Sequence, residues 1–389
     1  MKIKEFCKKE KVLVIASAAA GISAFLVHPD REYIGYMNFS VLTVLFCLMI
    51  VVGWFRETGI LDMMTDAMLR VANGTRKAAC LLITATAVAA MFVTNDVALL
   101  TFVPITIGLM SGKDAKTKID VIVLETIGAN LGSMLTPVGN PQNLYLYSFY
   151  QMNIGDFLRG VLPYGILGMV LVYIPVFFLK EDGKSDTNTL HAGMKTADEK
   201  NSDGKMAAEK THAKFTGNKL ALTIYTILFA ICILTVVRFC DYRICLAVTI
   251  AATLILAPKL LGKADYCLIL TFVAFFIFTG NMGRISAVEQ GIRQFMQGRE
   301  FLTSVLVSQV ISNVPAAIML SGFSDQSIAI LQGTDIGGLG TLVASLASLI
   351  SYKFYADMDG ADGKRYLVRF TVYNVVILAV LCGVKWMVG

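Results

Sequence analysis

Long apolar runs recur along this chain and constrain its fold more than any other feature. Several of them approach the roughly 20 residues that an α-helix needs to cross a bilayer. Of the 389 residues, 56% are hydrophobic and only 16% are charged. A soluble domain of this composition would expose far too much apolar surface to water. The sequence therefore predicts an all-α polytopic membrane protein.

One apolar run is interrupted where a membrane helix ought to continue. The run over 119–150 contains Pro137, Gly139, Asn140 and Pro141 near its centre. Proline removes a backbone donor and glycine weakens a helix, and lipid offers the freed groups no partner. Such a break indicates a transporter's central binding site, although a kinked helix with a snorkelling loop is the alternative.

Two other apolar segments, over 79–110 and 301–323, surround similar polar tips. The tips read Thr94-Asn95-Asp96 and Ser312-Asn313-Val314. Basic residues on both flanks of the first segment predict a re-entrant hairpin that enters and leaves on the cytoplasmic side. A pair of full crossings with almost no outer loop remains open.

The order of these motifs repeats along the chain. The glycine-rich stretches over 128–132 and 337–341 follow the two tips in the same order, and a second break is expected over 337–348. An odd number of crossings between the units would invert the second. We therefore predict an inverted-topology repeat with two re-entrant hairpins and two broken transmembrane helices.

The charge pattern divides the chain and orients it. We expect a first repeat over 1–179, a disordered cytoplasmic linker over 180–219, and a connecting helix plus inverted second repeat over 220–389. The net charge of +6 comes from basic loops, as the positive-inside rule expects, and does not indicate nucleic-acid binding. The N-terminus is expected in the cytoplasm, the protein in the cytoplasmic membrane, and an interfacial amphipathic helix over Phe55–Lys77.

The sequence lacks the residues that several other classes of protein function require. The eight cysteines lie singly and form no CxxC pair, so we interpret them as small apolar fillers. No HExxH-type catalytic cluster and no nucleotide-binding P-loop is present, so an enzyme is not expected. A channel would favour a continuous pore over two closed hairpins. No cofactor is expected apart from a coupling Na⁺.

Asparagine at a hairpin tip suits both ions that a symporter binds. Its amide oxygen can bind a cation and its NH₂ an anion, and Ser and Thr hydroxyls share this dual character. Each asparagine could instead merely cap its own helix. The predicted substrate-binding residues are Thr94, Asn95, Thr136, Asn140, Asn143, Ser312, Asn313 and Thr341. The predicted coupling-ion residues are Asn95, Asp96, Gly139, Asn140 and Asn313.

Three charged residues within apolar segments need separate interpretation. Intramembrane carboxylates are rare and usually face a cavity or a relay. Asp96 is expected to hold the coupling cation or to carry a proton, with a helix N-cap as the alternative, and Glu125 is expected to pair with a basic residue. Arg369, at the start of the last apolar run, is interpreted as a snorkelling anchor.

The segments TNDVALLTFVPI, NLGSMLTPVGNPQN and SNVPAAIML resemble the ion transporter superfamily. That group contains divalent anion–sodium symporters, citrate permeases, arsenite/antimonite permeases and a family of sodium–proton antiporters. The resemblance implies a homodimeric secondary active transporter for a small anion such as a di- or tricarboxylate, coupled to Na⁺ or H⁺. The alternative is a Na⁺/H⁺ antiporter or an arsenite-type metalloid oxyanion permease.

The sequence departs from the symporter pattern in three places. The first tip reads Thr-Asn-Asp, Val314 stands where the second tip would have a hydroxyl, and the second break lacks a Pro-Asn pair. The resemblance therefore leaves a second sodium site and a dicarboxylate substrate open.

Overall fold

Every regular element that the structure describes is a helix, which confirms the predicted all-α class. A computed structural model describes residues 10–60, 74–110, 112–180, 219–358 and 360–388. These ranges contain a short 3-10 helix over Pro258–Lys263 and seventeen α-helices. The α-helices are α1 (Lys11–Leu26), α2 (Glu32–Gly35), α3 (Phe39–Glu57), α4 (Thr75–Val93), α5 (Asn95–Leu109), α6 (Ala115–Ser133), α7 (Pro141–Phe149), α8 (Ile154–Val176), α9 (Lys219–Val236), α10 (Tyr242–Leu256), α11 (Tyr266–Arg284), α12 (Ser286–Met296), α13 (Glu300–Ile311), α14 (Asn313–Ser321), α15 (Ser327–Gly337), α16 (Leu346–Ala356) and α17 (Gly363–Val388).

Six of these helices are long and apolar enough to cross a membrane: α3, α4, α8, α9, α11 and α17. Four shorter apolar helices, α1, α5, α10 and α13, accompany them. Since α4 has 19 residues, its length suits either a full crossing or one arm of a re-entrant hairpin. The re-entrant arrangement stays a prediction.

The long helices carry apolar side chains on surfaces that the protein does not cover. On α8, Leu162, Ile166, Val170 and Ile174 recur every four residues and are each 42–55% exposed. Residues at this spacing share one face of a helix. A contiguous exposed apolar stripe of this kind is what lipid contact requires. The chain is a multi-pass membrane protein.

The chain forms two compact units, and each unit takes segments from both halves of the sequence. The predicted division into two repeats describes sequence order, and it stays a prediction. The predicted linker over 180–219, apart from its two end residues, and residues 61–73 of the predicted interfacial helix lie outside the described residues. The first unit comprises Met1–Trp54, Pro141–Gly160 and Leu220–Thr334, and the second comprises Phe55–Asn140, Val161–Lys219 and Asp335–Gly389.

Both predicted helix interruptions are present. The first spans residues 134–140, between α6 and α7, and the second spans 338–345, between α15 and α16. The first lies earlier than expected because Pro141 begins α7. Proline suits this position, where its missing N–H would have had no helical partner. Asn143 is therefore a helical residue.

The two glycine-rich stretches are not equivalent, so that part of the repeat alignment is wrong. Residues 128–132 lie inside α6, whereas residues 338–341 lie in the second break. Gly132 lies where α6 packs closely against α4, and this close approach leaves no room for a side chain. A Cβ at Gly132 would lie 2.2 Å from the Ala87 carbonyl oxygen. Gly333 of α15 makes a similarly close approach to Phe301 and Ser304 of α13.

Contacts within each unit join segments that the sequence places on the same side. In the first unit, Arg284 pairs with Asp30 at 2.8 Å. Counting the apolar runs as alternate crossings from a cytoplasmic N-terminus predicts both residues to lie outside. The hydrogen bond from Arg284 holds the pKa of the Asp30 carboxyl below its usual value. In the second unit, Arg76 Nε donates to Leu179 O at 2.8 Å, and the same count predicts both residues to lie on the cytoplasmic side. The predicted sides are therefore mutually consistent within each unit.

Arg369 is not a snorkelling anchor. Its Nη2 donates to Asp120 Oδ2 at 2.7 Å, its Nε donates to Asp120 Oδ1, and it also contacts the Tyr373 hydroxyl. The Asp120 side chain is only 3% exposed. A buried carboxylate needs such a partner, because charge away from water is costly unless it is paired. This ion pair ties α17 to α6.

We expect Gly132→Ala to destabilise the protein. The added methyl group meets backbone rather than a movable side chain, and such overpacking costs about 1–3 kcal/mol. Gly21→Ala in α1 is the matched control, because nothing lies within 4 Å of its ideal Cβ. Thermal unfolding in detergent should show a lower midpoint for Gly132→Ala alone. Equal midpoints for the two variants would contradict the close α4–α6 packing.

Candidate functional site

The two hairpin tips have the same unusual backbone conformation. Thr94 has φ 72° and ψ 149°, and Ser312 has φ 78° and ψ 156°. Residues other than glycine seldom adopt this region, at a cost of about 1–3 kcal/mol each. Such strain persists only where the surrounding structure imposes it, and it concentrates at functional sites. The tips are therefore the first candidates for a binding site.

The residue after each strained position is an asparagine that begins the following helix. Asn95 Oδ1 accepts from the Asp96 amide at 3.0 Å, and Asn313 Oδ1 accepts from the Val314 amide at 2.9 Å. Each side-chain oxygen therefore satisfies an amide of the first helical turn, although neither asparagine is the N-cap of its helix. The matching geometry supports the prediction of an internal repeat at the tips.

In the second unit, the amide nitrogen of Asn95 takes part in a wider polar network. Asn95 Nδ2 donates to Asn130 Oδ1 at 3.0 Å, and Ser345 Oγ donates to the same oxygen at 3.1 Å. Asn130 Nδ2 is buried and has no hydrogen-bond partner among the described residues. An unused buried donor is costly to leave unsatisfied, and a ligand can use it. We call the network the Asn130 cluster; it comprises Asn95, Asn130, Ser133, Asn140, Asp335 and Ser345.

The first helix break joins the Asn130 cluster through backbone and side-chain atoms. The Asn95 amide donates to Gly139 O at 3.1 Å. Asn140 Nδ2 lies 3.3 Å from Ser133 Oγ and 3.4 Å from Asp335 Oδ1. The tip of the first hairpin, the first break and the end of α15 therefore contribute to one polar site.

Asp335 is the site residue that the sequence interpretation missed. It is only 5% exposed and brings the one carboxylate of the Asn130 cluster. The signal was present, since Asp335 is an acid near the end of an apolar segment within GTDIGG. Its importance depends on contact with Asn140, which lies 195 residues earlier in the chain.

The other predicted residues of the second unit have less central places. The Thr136 hydroxyl donates to Met91 O and fastens the break to α4. Thr94 and Asp96 are half-buried at the tip, and Thr341 is exposed in the second break. From that second break, Ser345 rather than Thr341 reaches the Asn130 cluster.

Three predicted residues belong to the first unit. Asn143 is fully buried in α7, and Ser312 and Asn313 are buried at the second tip. In this unit α14 packs against α7. The Tyr145 hydroxyl lies 2.9 Å from Ser321 Oγ, which fixes the two helices together.

Glu125 lies deeper in α6 and is paired with a hydroxyl rather than with a base. Thr86 Oγ1 donates to Glu125 Oε1 at 2.8 Å. Within the described part of the chain, Glu125 forms no ion pair, so the expected basic partner is wrong. The side chain is completely buried.

The chemistry of the Asn130 cluster suits a small ion pair. Carboxylate, amide and backbone carbonyl oxygens at a helix break can bind Na⁺. The Asn130 NH₂ offers a donor to an anion. The described residues contain no group of three or more His, Cys, Asp or Glu side chains able to hold a metal ion.

Helices with lipid-facing stripes, two helix breaks and a buried amide cluster define a multi-pass membrane transporter. A family model described as citrate transporter matches residues 7–350, and the chain belongs to this family. The resemblance seen in the sequence motifs is confirmed.

Similar proteins occur in archaea, bacteria and plants. An uncharacterized transporter of Methanocaldococcus jannaschii is 28% identical over 370 residues, covering 93% of this chain and 94% of that protein. The inner membrane protein YbiR of Escherichia coli is 26% identical, covering 92% and 89%. A silicon efflux transporter of Oryza sativa subsp. japonica is 27% identical, covering 41% and 33%.

We expect Asn130→Leu to destabilise the protein and Asn130→Asp to retain the fold. Leucine leaves the Asn95 and Ser345 donors without their shared acceptor, at about 1–3 kcal/mol for each buried group. Aspartate keeps an acceptor oxygen in that position. The measurement is the thermal unfolding midpoint in detergent. If Asn130→Leu has the same unfolding midpoint as the wild type, the hydrogen bonds to Asn130 do not contribute to stability.

Proposed function

We propose that this protein is a secondary active transporter that moves a small anion, such as a di- or tricarboxylate, across the cytoplasmic membrane. Transport is coupled to Na⁺ or H⁺. The single observation that carries the proposal is the pair of hairpin tips with matching strain at Thr94 and Ser312. Each tip presents a buried asparagine amide, which is the group that a small polar ion needs at membrane depth.

The coupling cation is assigned to oxygens around the first break. Asp96, Asn95, Gly139 and Asn140 were predicted from sequence, and the contact between Asn140 and Asp335 adds a second carboxylate. The charge of a cation offsets the cost of keeping a carboxylate away from water. In this proposal Asn313 has the corresponding role at the second tip.

The substrate is assigned to amide and hydroxyl groups, of which the Thr136 hydroxyl can only accept while it donates to Met91 O. Thr94, Thr136, Asn143, Ser312 and Thr341 supply these groups alongside the asparagine tips. Membership in the citrate transporter family supports a carboxylate. The similarity to a silicon efflux transporter supports the alternative, a metalloid oxyanion permease. A Na⁺/H⁺ antiporter is the remaining alternative within the same superfamily.

The arrangement in the membrane follows the charge pattern and the family resemblance. We propose a homodimer in the cytoplasmic membrane with the N-terminus in the cytoplasm. The name of the Escherichia coli relative, an inner membrane protein, supports this location. Cross-linking in native membranes, which would trap two copies of the chain, tests the dimer directly.

Reconstituted protein tests the transport proposal. We expect proteoliposomes with an imposed Na⁺ or pH gradient to accumulate citrate or another small carboxylate. Asn95→Ala and Asn313→Ala should each reduce uptake about five- to hundredfold, since a lost amide leaves buried partners unpaired at about 1–3 kcal/mol.

Asn374→Ala is the matched control for these two variants. Asn374 is equally buried, but its Nδ2 donates to Phe370 O within its own helix α17, and it is not one of the predicted site residues. Uptake by the Asn374→Ala variant should fall only as far as its amount of folded protein falls. Uptake at the wild-type rate by both tip variants would show that the tip asparagines have only a structural role.

Asp335→Asn and Asp96→Asn should separate coupling from binding. A neutral amide cannot balance the charge of the coupling ion, so each variant should lose gradient-driven accumulation. Counterflow at equal concentrations should persist, because exchange needs no net driving force. Both assays use the same liposomes. Undiminished accumulation by either variant would remove that residue from the cation site.

A further inference from the structure

The first unit contains a cavity of about 190 Å³ that the proposed transport site does not use. It lies beside the N-terminus of α3 and the C-terminal ends of α7 and α9. Its polar lining consists of Asn38, Ser40, Ser148, Gln151, Thr235 and Arg238. None of the described residues that line the cavity is acidic.

Two lining residues are held in a backbone conformation that glycine adopts more readily. Gln151 has φ 52° and Arg238 has φ 67°. Each follows a helix end, where the chain closes with the Met152 amide on Tyr147 O at 3.1 Å and the Phe239 amide on Leu234 O at 2.8 Å. Glycine is the usual residue at such ends. A long polar side chain at both positions indicates that the side chains themselves are needed.

The charge of the cavity is positive. Arg238 Nη2 donates to Tyr147 O at 3.0 Å, and the guanidinium lies 5.4 Å from the Tyr147 ring centroid. These contacts hold the planar group in place while leaving most of its five N–H donors for other partners. Among the described residues, Arg238 forms no ion pair.

The surrounding groups add further donors. The N-terminus of the 19-residue helix α3 faces the cavity through Asn38, Ser40 and Val41, and helix N-termini favour anions. Gln151 Nε2 donates to Ser148 O at 2.9 Å, which leaves its second N–H, together with the Ser40 and Ser148 hydroxyls, as donors for an oxyanion. A fixed guanidinium with neutral donors around it is the usual recognition chemistry for carboxylate and phosphate.

We propose that this cavity binds the oxyanion group of a phosphate or carboxylate. The group belongs either to a small free anion or to an anionic lipid. The position suits both sources, because Phe239, next to Arg238, is 84% exposed at the end of a membrane-length helix. The end of a membrane-spanning helix lies near the membrane interface, where both lipid headgroups and dissolved anions are present.

The experiment has one arm for each source and uses the full-length purified protein. In the first arm, inorganic phosphate and citrate are titrated at constant ionic strength into protein in lipid-free detergent. In the second, the protein is placed in nanodiscs of phosphatidylglycerol or phosphatidylcholine. The thermal unfolding midpoint is measured in both. We expect an increase with the oxyanion in at least one arm, and that arm identifies the source.

Arg238→Gln should weaken the apparent affinity for the oxyanion, as obtained from the midpoint shifts, roughly ten- to hundredfold. This is the usual range for a lost charge-assisted hydrogen bond. Arg159→Gln is the matched control. It removes the same charge in the same unit from a side chain that is 85% exposed and outside the cavity. This control should respond like the wild type.

Gln151→Gly separates binding from folding. Glycine relieves the backbone strain, so the midpoint without anion should rise, while the response to the anion should fall. These opposite changes would not come from a damaged fold. A response of Arg238→Gln equal to that of the wild type, or a wild-type response in neither arm, would overturn the proposal.

Discussion

Broken helices in an apolar environment create backbone groups that only the protein itself can satisfy. In the second unit, the amide of Asn95 meets part of this demand by donating to the carbonyl of Gly139. The side-chain oxygen of the same asparagine accepts from the Asp96 amide, and its side-chain nitrogen donates to Asn130. The hairpin tip and the first helix break therefore support each other. Polar groups brought together to satisfy the backbone are then available for an ion.

Close packing keeps this polar site in a fixed geometry. At Gly132, α4 and α6 approach so nearly that a methyl group would collide with backbone. The strained residue Thr94 lies at the end of the same helix α4. Strain of this kind requires rigid surroundings, since a loose hairpin would relax to a more favourable backbone conformation. The close contact of Gly132 with the α4 backbone and the strained tip at Thr94 therefore belong to one rigid element.

Local chemistry made much of this architecture predictable from sequence. Apolar length gave the membrane helices, and Pro137, Gly139 and Pro141 gave the first break, although the helical role of Pro141 shifted its boundary. The asparagine tips were found because asparagine is rare in apolar segments. Asp335 was missed and Arg369 was misinterpreted because their roles depend on partners 195 and 249 residues away in the chain. Such pairings follow from the path of the chain, which no local pattern contains.

The separation between Asp120 and Arg369 has a consequence for biosynthesis. Ribosomes add about 5–20 residues per second, so roughly 10–50 seconds pass between the synthesis of the two residues. During this interval α6 is made but its carboxylate has no partner from α17. A chain that stops before Arg369 would leave the Asp120 carboxylate without this partner, and a carboxylate kept away from water is costly unless it is paired.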